Sequence, residues 1–195
     1  PARGDDRRKS VSVLPRAGGM AAGSPQSQSG RAPGVRLFTV CLRRGVRHGV
    51  TPGPTPTVRI YLGTEPAHYR ATRIFVYSIE RVRDPARVYE IYLMSDLADF
   101  RRLFWLTGFT NYRFAVPYFA HAQGRAIYND VDQVYLDDPA ELFDAEMDGH
   151  GVLAISPGGR IDTSVMLMDC ARMAAVWPVQ VAREGRKNGL IERAR

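Results

Sequence analysis

Short apolar runs of strand length alternate with stretches of helical spacing from Val58 to Met168, which restricts the chain to an α/β sheet flanked by helices. Val58-Arg-Ile-Tyr-Leu-Gly63 alternates and closes on a glycine, as a strand entering a turn does. Pro66 suits the first turn of a helix, and Ala71, Ile74, Phe75, Ser78 and Val82 recur behind it at helical spacing. The β-branched and aromatic run from Arg87 to Met94 reads as a second strand. A helix over Asn111 to Ala122 follows, with Pro117 either kinking it or opening a new first turn. Strands at Arg125 to Asn129, Gly151 to Ile155 and Asp162 to Met168, with a helical turn at Pro139 to Phe143, complete the pattern. In open sheets of this kind ligands bind beyond the carboxyl ends of the strands, which directs attention to the residues after Leu62, Met94 and Tyr128.

The 195 residues, 45% of them hydrophobic, suffice for one core. Residues 1–57 contribute little to it. They are rich in Gly, Pro, Ser and Arg, with too few large apolar groups to offset the entropy of ordering, so they read as a disordered basic leader and 58–195 as the folded domain. Val35 to Leu42, the one apolar patch in the leader, is a candidate for a short strand docked on the domain.

The net charge of +7 sits in the leader, where ten basic residues face only Asp5 and Asp6, leaving 17 of the 27 basic and 18 of the 20 acidic residues for the rest. A folded nucleic-acid-binding domain carries its basic patch on its own surface, so nucleic acid is not expected as a partner. The leader suits a salt-sensitive peripheral contact with an anionic membrane. No run of eighteen apolar residues exists and no secretory signal is present, so the expected location is cytoplasmic, at most peripheral at the inner membrane face. Cys41 and Cys170 lack metal-type or redox-type spacing, and Cys170 reads as a small buried hydrophobe.

The chemistry lies after the strand at Arg125. Asp130-Val131-Asp132 places two carboxylates one residue apart, and in extended backbone residues i and i+2 point to the same side. Both carboxylates can then face one hard divalent ion, with Val131 turned into the core. Manganese or magnesium held by few carboxylates keeps positions open for diphosphate oxygens. An isolated Asp-x-Asp also caps turns and solvates loops.

The surrounding stretch, Arg125-Ala-Ile-Tyr-Asn-Asp-Val-Asp-Gln-Val-Tyr-Leu-Asp-Asp-Pro-Ala-Glu-Leu-Phe143, is an apolar strand, an Asp-x-Asp and a second apolar run ending in acidic-Leu-Phe. It resembles the retaining GT-A glycosyltransferases that include glycogenin, the galactinol synthases and the lipopolysaccharide galactosyl- and glucosyltransferases. Upstream, Tyr112-Arg113-Phe114-Ala115-Val116-Pro117 fills the family's basic-residue and Val-Pro slot. The resemblance covers residues from about Val58 to Trp177 and implies a Rossmann-like mixed sheet that binds a nucleoside-diphosphate sugar, here a UDP-sugar. It implies Mn2+ or Mg2+ on Asp130 and Asp132, and Arg113 on the diphosphate side. Uridine would lie near Gly63, Thr64 and Tyr69, and the donor sugar near Asp162 and Thr163. In the family's Asn-small-Gly triplet this chain has Asp162-Thr163-Ser164, which keeps an acceptor for sugar hydroxyls but loses the amide donor.

The reaction implied is hexosyl transfer with retention to an unidentified saccharide or lipid-linked acceptor. It would work through leaving-group stabilisation and positioning, and no residue is assigned as a catalytic base. The family's Asp-Gln-Asp segment and later metal-site histidine have no counterpart in Ala171 to Arg195, so the chain is expected to be truncated at its C-terminus. Two alternatives follow: a non-catalytic fragment or pseudoenzyme of the same fold, and, more distantly, a sugar-nucleotide pyrophosphorylase, whose Gly-rich N-terminal loop is missing. Structural roles also compete at single positions: Arg113 as an ion-paired arginine, Tyr69 and Phe75 as packing aromatics, Asp137-Asp138 as a helix cap, and Met166, Met168, Met173 and Trp177 as core.

Overall fold

A computed structural model describes residues 56–100, 109–156 and 161–194, together with two strands from earlier in the chain. Seven strands form one mixed sheet: β1 (Ser12–Pro15), β2 (Phe38–Leu42), β3 (Val58–Gly63), β4 (Tyr89–Met94), β5 (Arg125–Asp130), β6 (Val152–Ile155) and β7 (Asp162–Asp169). Their spatial order is β1-β2-β4-β3-β5-β7-β6. The central β4, β3 and β5 are parallel, and every other pairing is antiparallel. Val58, Ile60, Leu62, Tyr89, Ile91, Ile127 and Tyr128 of that centre are buried, which is why these strands read as near-continuous apolar runs. Arg59 interrupts β3 and answers its charge with hydrogen bonds to the carbonyl of Arg125 at the start of β5, Nε at 3.1 Å and Nη2 at 2.7 Å.

A 3-10 turn at Pro66–His68 leads into helix α1 (Tyr69–Val82), which buries Phe75 and Ile79. Ala71, Ser78 and Val82 are half-buried beside them, but Ile74 faces solvent, against its expected place on the inner face. Adjacent helical residues stand 100° apart, so a stripe centred on Phe75 and Ile79 turns Ile74 outward. Pro117 opens a new helix: the 3-10 turn Tyr112–Ala115 runs into α2 (Val116–Phe119), and the chain leaves it through left-handed His121 and Ala122. Helix α3 (Pro139–Asp144) is capped by Asp138, which accepts the N–H of Ala140 at 2.8 Å and the Tyr89 hydroxyl at 2.7 Å, joining α3 to β4.

Asp169 caps α4 (Cys170–Val176), and α5 (Val179–Glu184) and α6 (Lys187–Glu192) complete the described chain. Met166, Met168, Cys170, Met173 and Trp177 belong to the core as expected.

Strands β1 and β2 lie within residues 1–57. The Val35–Leu42 patch contains β2, which pairs along β4 from Phe38 opposite Leu93 to Leu42 opposite Tyr89. The open edge of β4 supplies backbone partners that composition does not register, so a leader without structure does not describe these two segments. The rest of the leader lies outside the described residues.

Candidate functional site

The three parallel strands end in one row, with Gly63 of β3 opposite Met94 on one side and Asp130 on the other. Just past β3 and β4 a cavity of about 580 Å3 opens between Glu65, Pro66 and Ala67 and the segment Asp96-Leu97, floored by Phe100 and Tyr112. This is the crevice beyond the strand ends at which the sequence pattern aims.

Arg113 and Asp130 form the centre of the site. Arg113 is only 4% exposed, and all three guanidinium nitrogens are committed to protein. Its Nη2 donates to both oxygens of Asp130 at 2.8 and 3.0 Å, Nη1 to the carbonyl and hydroxyl of Thr163 at 2.6 and 2.7 Å, and Nε to the carbonyl of Thr110 at 2.8 Å. The guanidinium lies over the Tyr128 ring, 5.0 Å from its centre, and the Tyr128 hydroxyl donates to Asp130 at 2.7 Å. Burial keeps the Tyr128 phenol protonated and able to donate. Burial also pushes the Asp130 carboxyl above the ordinary range, outweighing Arg113 and Tyr128, which favour the anion. These bonds hold Asp130 in one orientation.

Asp132 differs. The strand ends at Asp130, and the chain turns, with the N–H of Gln133 donating to the Asp130 carbonyl at 3.3 Å. The two carboxylates are therefore not successive same-side positions of one strand. They remain close enough for the charge on Asp132 to raise the Asp130 pKa. Val131 is buried as expected, Asp132 is exposed, and its one recorded partner is the side-chain amide of its neighbour Gln133 at 3.1 Å.

Among the described residues no group of three or more His, Cys, Asp and Glu side chains converges as a metal cage. Asp130 accepts three hydrogen bonds of the roughly four a carboxylate can take, and Asp132 keeps most of its lone pairs. That donor set suits a hard cation taking one or two carboxylates from protein and its other oxygens from water and phosphate.

Asp162 is exposed, its carboxylate accepting the Ser164 N–H at 2.8 Å. That bond, with the Ser164 hydroxyl, holds its pKa below the ordinary range, and Lys187 and Arg113 add to the effect. Thr163 is buried beneath Arg113. Gly63 is required by packing: a Cβ there would stand 2.0 Å from the Tyr128 hydroxyl oxygen. The Thr64 hydroxyl is engaged by that of Thr72 at 3.0 Å, so its side chain is structural here. Tyr69 is exposed, with its hydroxyl taken by Arg70 at 3.0 Å, and does not line the cavity.

Sequence reasoning overlooked two residues. Tyr128 lies within β5, and the sign of its role in the sequence is its place two residues before Asp130. Lys187, on α6, shares an electrostatic neighbourhood with Arg113, Asp130 and Asp162. Burial lowers its pKa first, Arg113 adds to this, and the two carboxylates oppose it. Its signal was rarity, one of only two lysines in the chain.

No family model and no curated protein matches the chain. Solved structures do. The bifunctional glycosyltransferase WbbM matches at a TM-score of 0.53 and 11% identity over 65% of this chain and 34% of that one. An active-site mutant of LgtC matches at 0.52 and 11% over 70% and 69%. The glycosyltransferase GlyE of Streptococcus pneumoniae TIGR4 matches at 0.50 and 15% over 71% and 42%. The chain thus has the GT-A glycosyltransferase fold, and it spans about a third of WbbM and two fifths of GlyE.

Proposed function

We propose that this domain binds a nucleoside-diphosphate sugar, with UDP as the nucleotide, and moves the sugar to an acceptor with retention of configuration. The observation that carries this is the split between the two carboxylates at the end of β5: Asp130 is locked by Arg113 and Tyr128, and Asp132 is exposed in the turn that follows.

Arg113 and Tyr128 fix the direction of Asp130 at the end of β5 and leave its carboxylate room for about one further partner. Asp132 supplies the second oxygen donor. A manganese or magnesium ion held by these two acids would neutralise charge on the departing diphosphate. Lys187 carries a further positive charge in the electrostatic neighbourhood of Asp130 and Asp162, available to a phosphate bound there. The exposed carboxylate of Asp162 is placed to accept sugar hydroxyls. The cavity between Glu65 and Asp96, just past the end of β3, has the volume for a nucleoside.

Calorimetric titration with UDP, with and without manganese, followed by measurement of UDP released from UDP-glucose and UDP-galactose, tests this reading. Metal-dependent binding with UDP release supports transfer. Binding without release leaves the alternative of a nucleotide-sugar binder that lacks turnover. Folded protein that does not bind UDP rejects both.

A further inference from the structure

Ile74, which helical spacing assigns to the core, stands outside on α1 at 58% exposure, and Tyr77 follows it at 61%. The loop after Asp132 crosses the helix beside them. The backbone N–H of Tyr135 donates to Ser78 Oγ at 3.0 Å, and its ring packs edge-on against Phe75 with centres 5.8 Å apart. Val134 and Leu136, on either side of this anchor, are 54% and 82% exposed. Ser78 neighbours both Ile74 and Arg81 on the helix surface, being four residues from one and three from the other. Ile74 and Tyr77 on the helix and Val134 and Leu136 on the loop anchored to it are thus four large exposed apolar side chains on adjoining segments, and exposed apolar surface of this kind marks interaction sites.

The same face is basic. Arg70, Ile74 and Arg81 fall along one helical row and Arg73, Tyr77 and Arg81 along the next, with all three arginines exposed. Arg70 bonds the Tyr69 hydroxyl, and Arg73 and Arg81 have no partner among the described residues. Glu80 is paired with Arg83 at 2.7 Å, and the loop's own acids, Asp132 and Asp137, stand at its two ends.

We propose that this face of α1, with the loop around Tyr135, docks on an anionic lipid bilayer. Ile74, Tyr77, Val134 and Leu136 enter the boundary between headgroups and acyl chains, and the three arginines hold lipid phosphates. A second copy of the chain fits poorly, because a twofold contact through this face sets its arginines against their own counterparts. The residues proposed here lie on α1 and the loop after Asp132, not among the basic residues of 1–57. Asp130 and Asp132 lead directly into the loop, so docking brings the candidate site beside the membrane, where a lipid-carried acceptor would lie. That last consequence alone rests on the transferase reading.

The test is flotation of the full chain with vesicles of phosphatidylcholine, alone and mixed with phosphatidylglycerol. The expected result is binding to the mixed vesicles only, reduced roughly tenfold or more in Ile74→Ser/Tyr77→Ser/Leu136→Ser and in Arg73→Gln/Arg81→Gln. These side chains are exposed, so both variants should keep the wild-type melting temperature and UDP affinity, which separates this proposal from the reading of the nucleotide site. Independently, Leu136→Trp in the otherwise unchanged chain should blue-shift its emission on mixed vesicles. Undiminished binding by the serine variant would assign the membrane contact to the leader and overturn the proposal. So would an unshifted Leu136→Trp spectrum, or a wild-type dimer that the serine variant dissolves.

Discussion

Two carboxylates separated by a single buried valine have opposite surroundings. Asp130 ends a strand, half enclosed, with both oxygens held by Arg113 and one also by Tyr128. Asp132 sits in the following turn, exposed, against a neighbouring side-chain amide. A buried ion pair resists the loss of either member because the survivor is left uncompensated, whereas an exposed acid contributes little to folding and remains free to bind. In the proposed site the pair therefore divides the work: Asp130 is an oriented ligand built into the frame, and Asp132 is one left free to turn toward the cation.

The largest effect that would break this comparison is on Arg113. Arg113→Ala strands Asp130 and the Thr163 and Thr110 acceptors, and thermal or urea unfolding should show a loss of about 3–5 kcal/mol. Arg113→Lys should rescue little, since an ammonium cannot bridge three groups in one plane. Gly63→Ala comes next. Its new methyl would collide with the Tyr128 hydroxyl and push it off Asp130, costing about 1–3 kcal/mol. Tyr128→Phe removes only the hydrogen bond and should cost about 1 kcal/mol by the same unfolding measurement. Asp132→Ala should fall within about 0.5 kcal/mol of wild type.

Acidity sharpens the same contrast. Burial holds the Asp130 pKa above its unfolded value, so the folded state takes up the proton first. This group therefore favours folding below the unfolded pKa, and that contribution is lost as pH rises through the folded one. Cation binding needs the anion and runs the other way. Manganese affinity in the presence of UDP, followed across the acid range, should fall as pH drops through a midpoint above the ordinary aspartate value.

Much of this arrangement was legible in the sequence because strand periodicity is local. The strands at Val58, Arg87 and Arg125, a break at Pro117 and the Asp137-Asp138 cap depend on neighbours a few residues away, and their order gives an α/β sheet, while the GT-A fold is expected from the resemblance around Asp130. What stayed hidden depends on contacts across the sheet. Nothing local shows that Arg113 points inward to Asp130 and Thr163, or that the Thr64 hydroxyl is taken by Thr72. Lys187 reaches the site only through the fold of the last helix. Likewise Ile74 fits a helical stripe by spacing, and only the orientation set by Phe75 and Ile79 turns it outward.

Manganese binding in the presence of UDP, read by electron paramagnetic resonance on wild type and Asp132→Ala, tests the division of roles most directly. Wild type should deplete the free-manganese signal, and Asp132→Ala, folded with an unchanged melting temperature, should leave it. Equal depletion by both proteins would contradict that division, because the exposed carboxylate would then be no ligand.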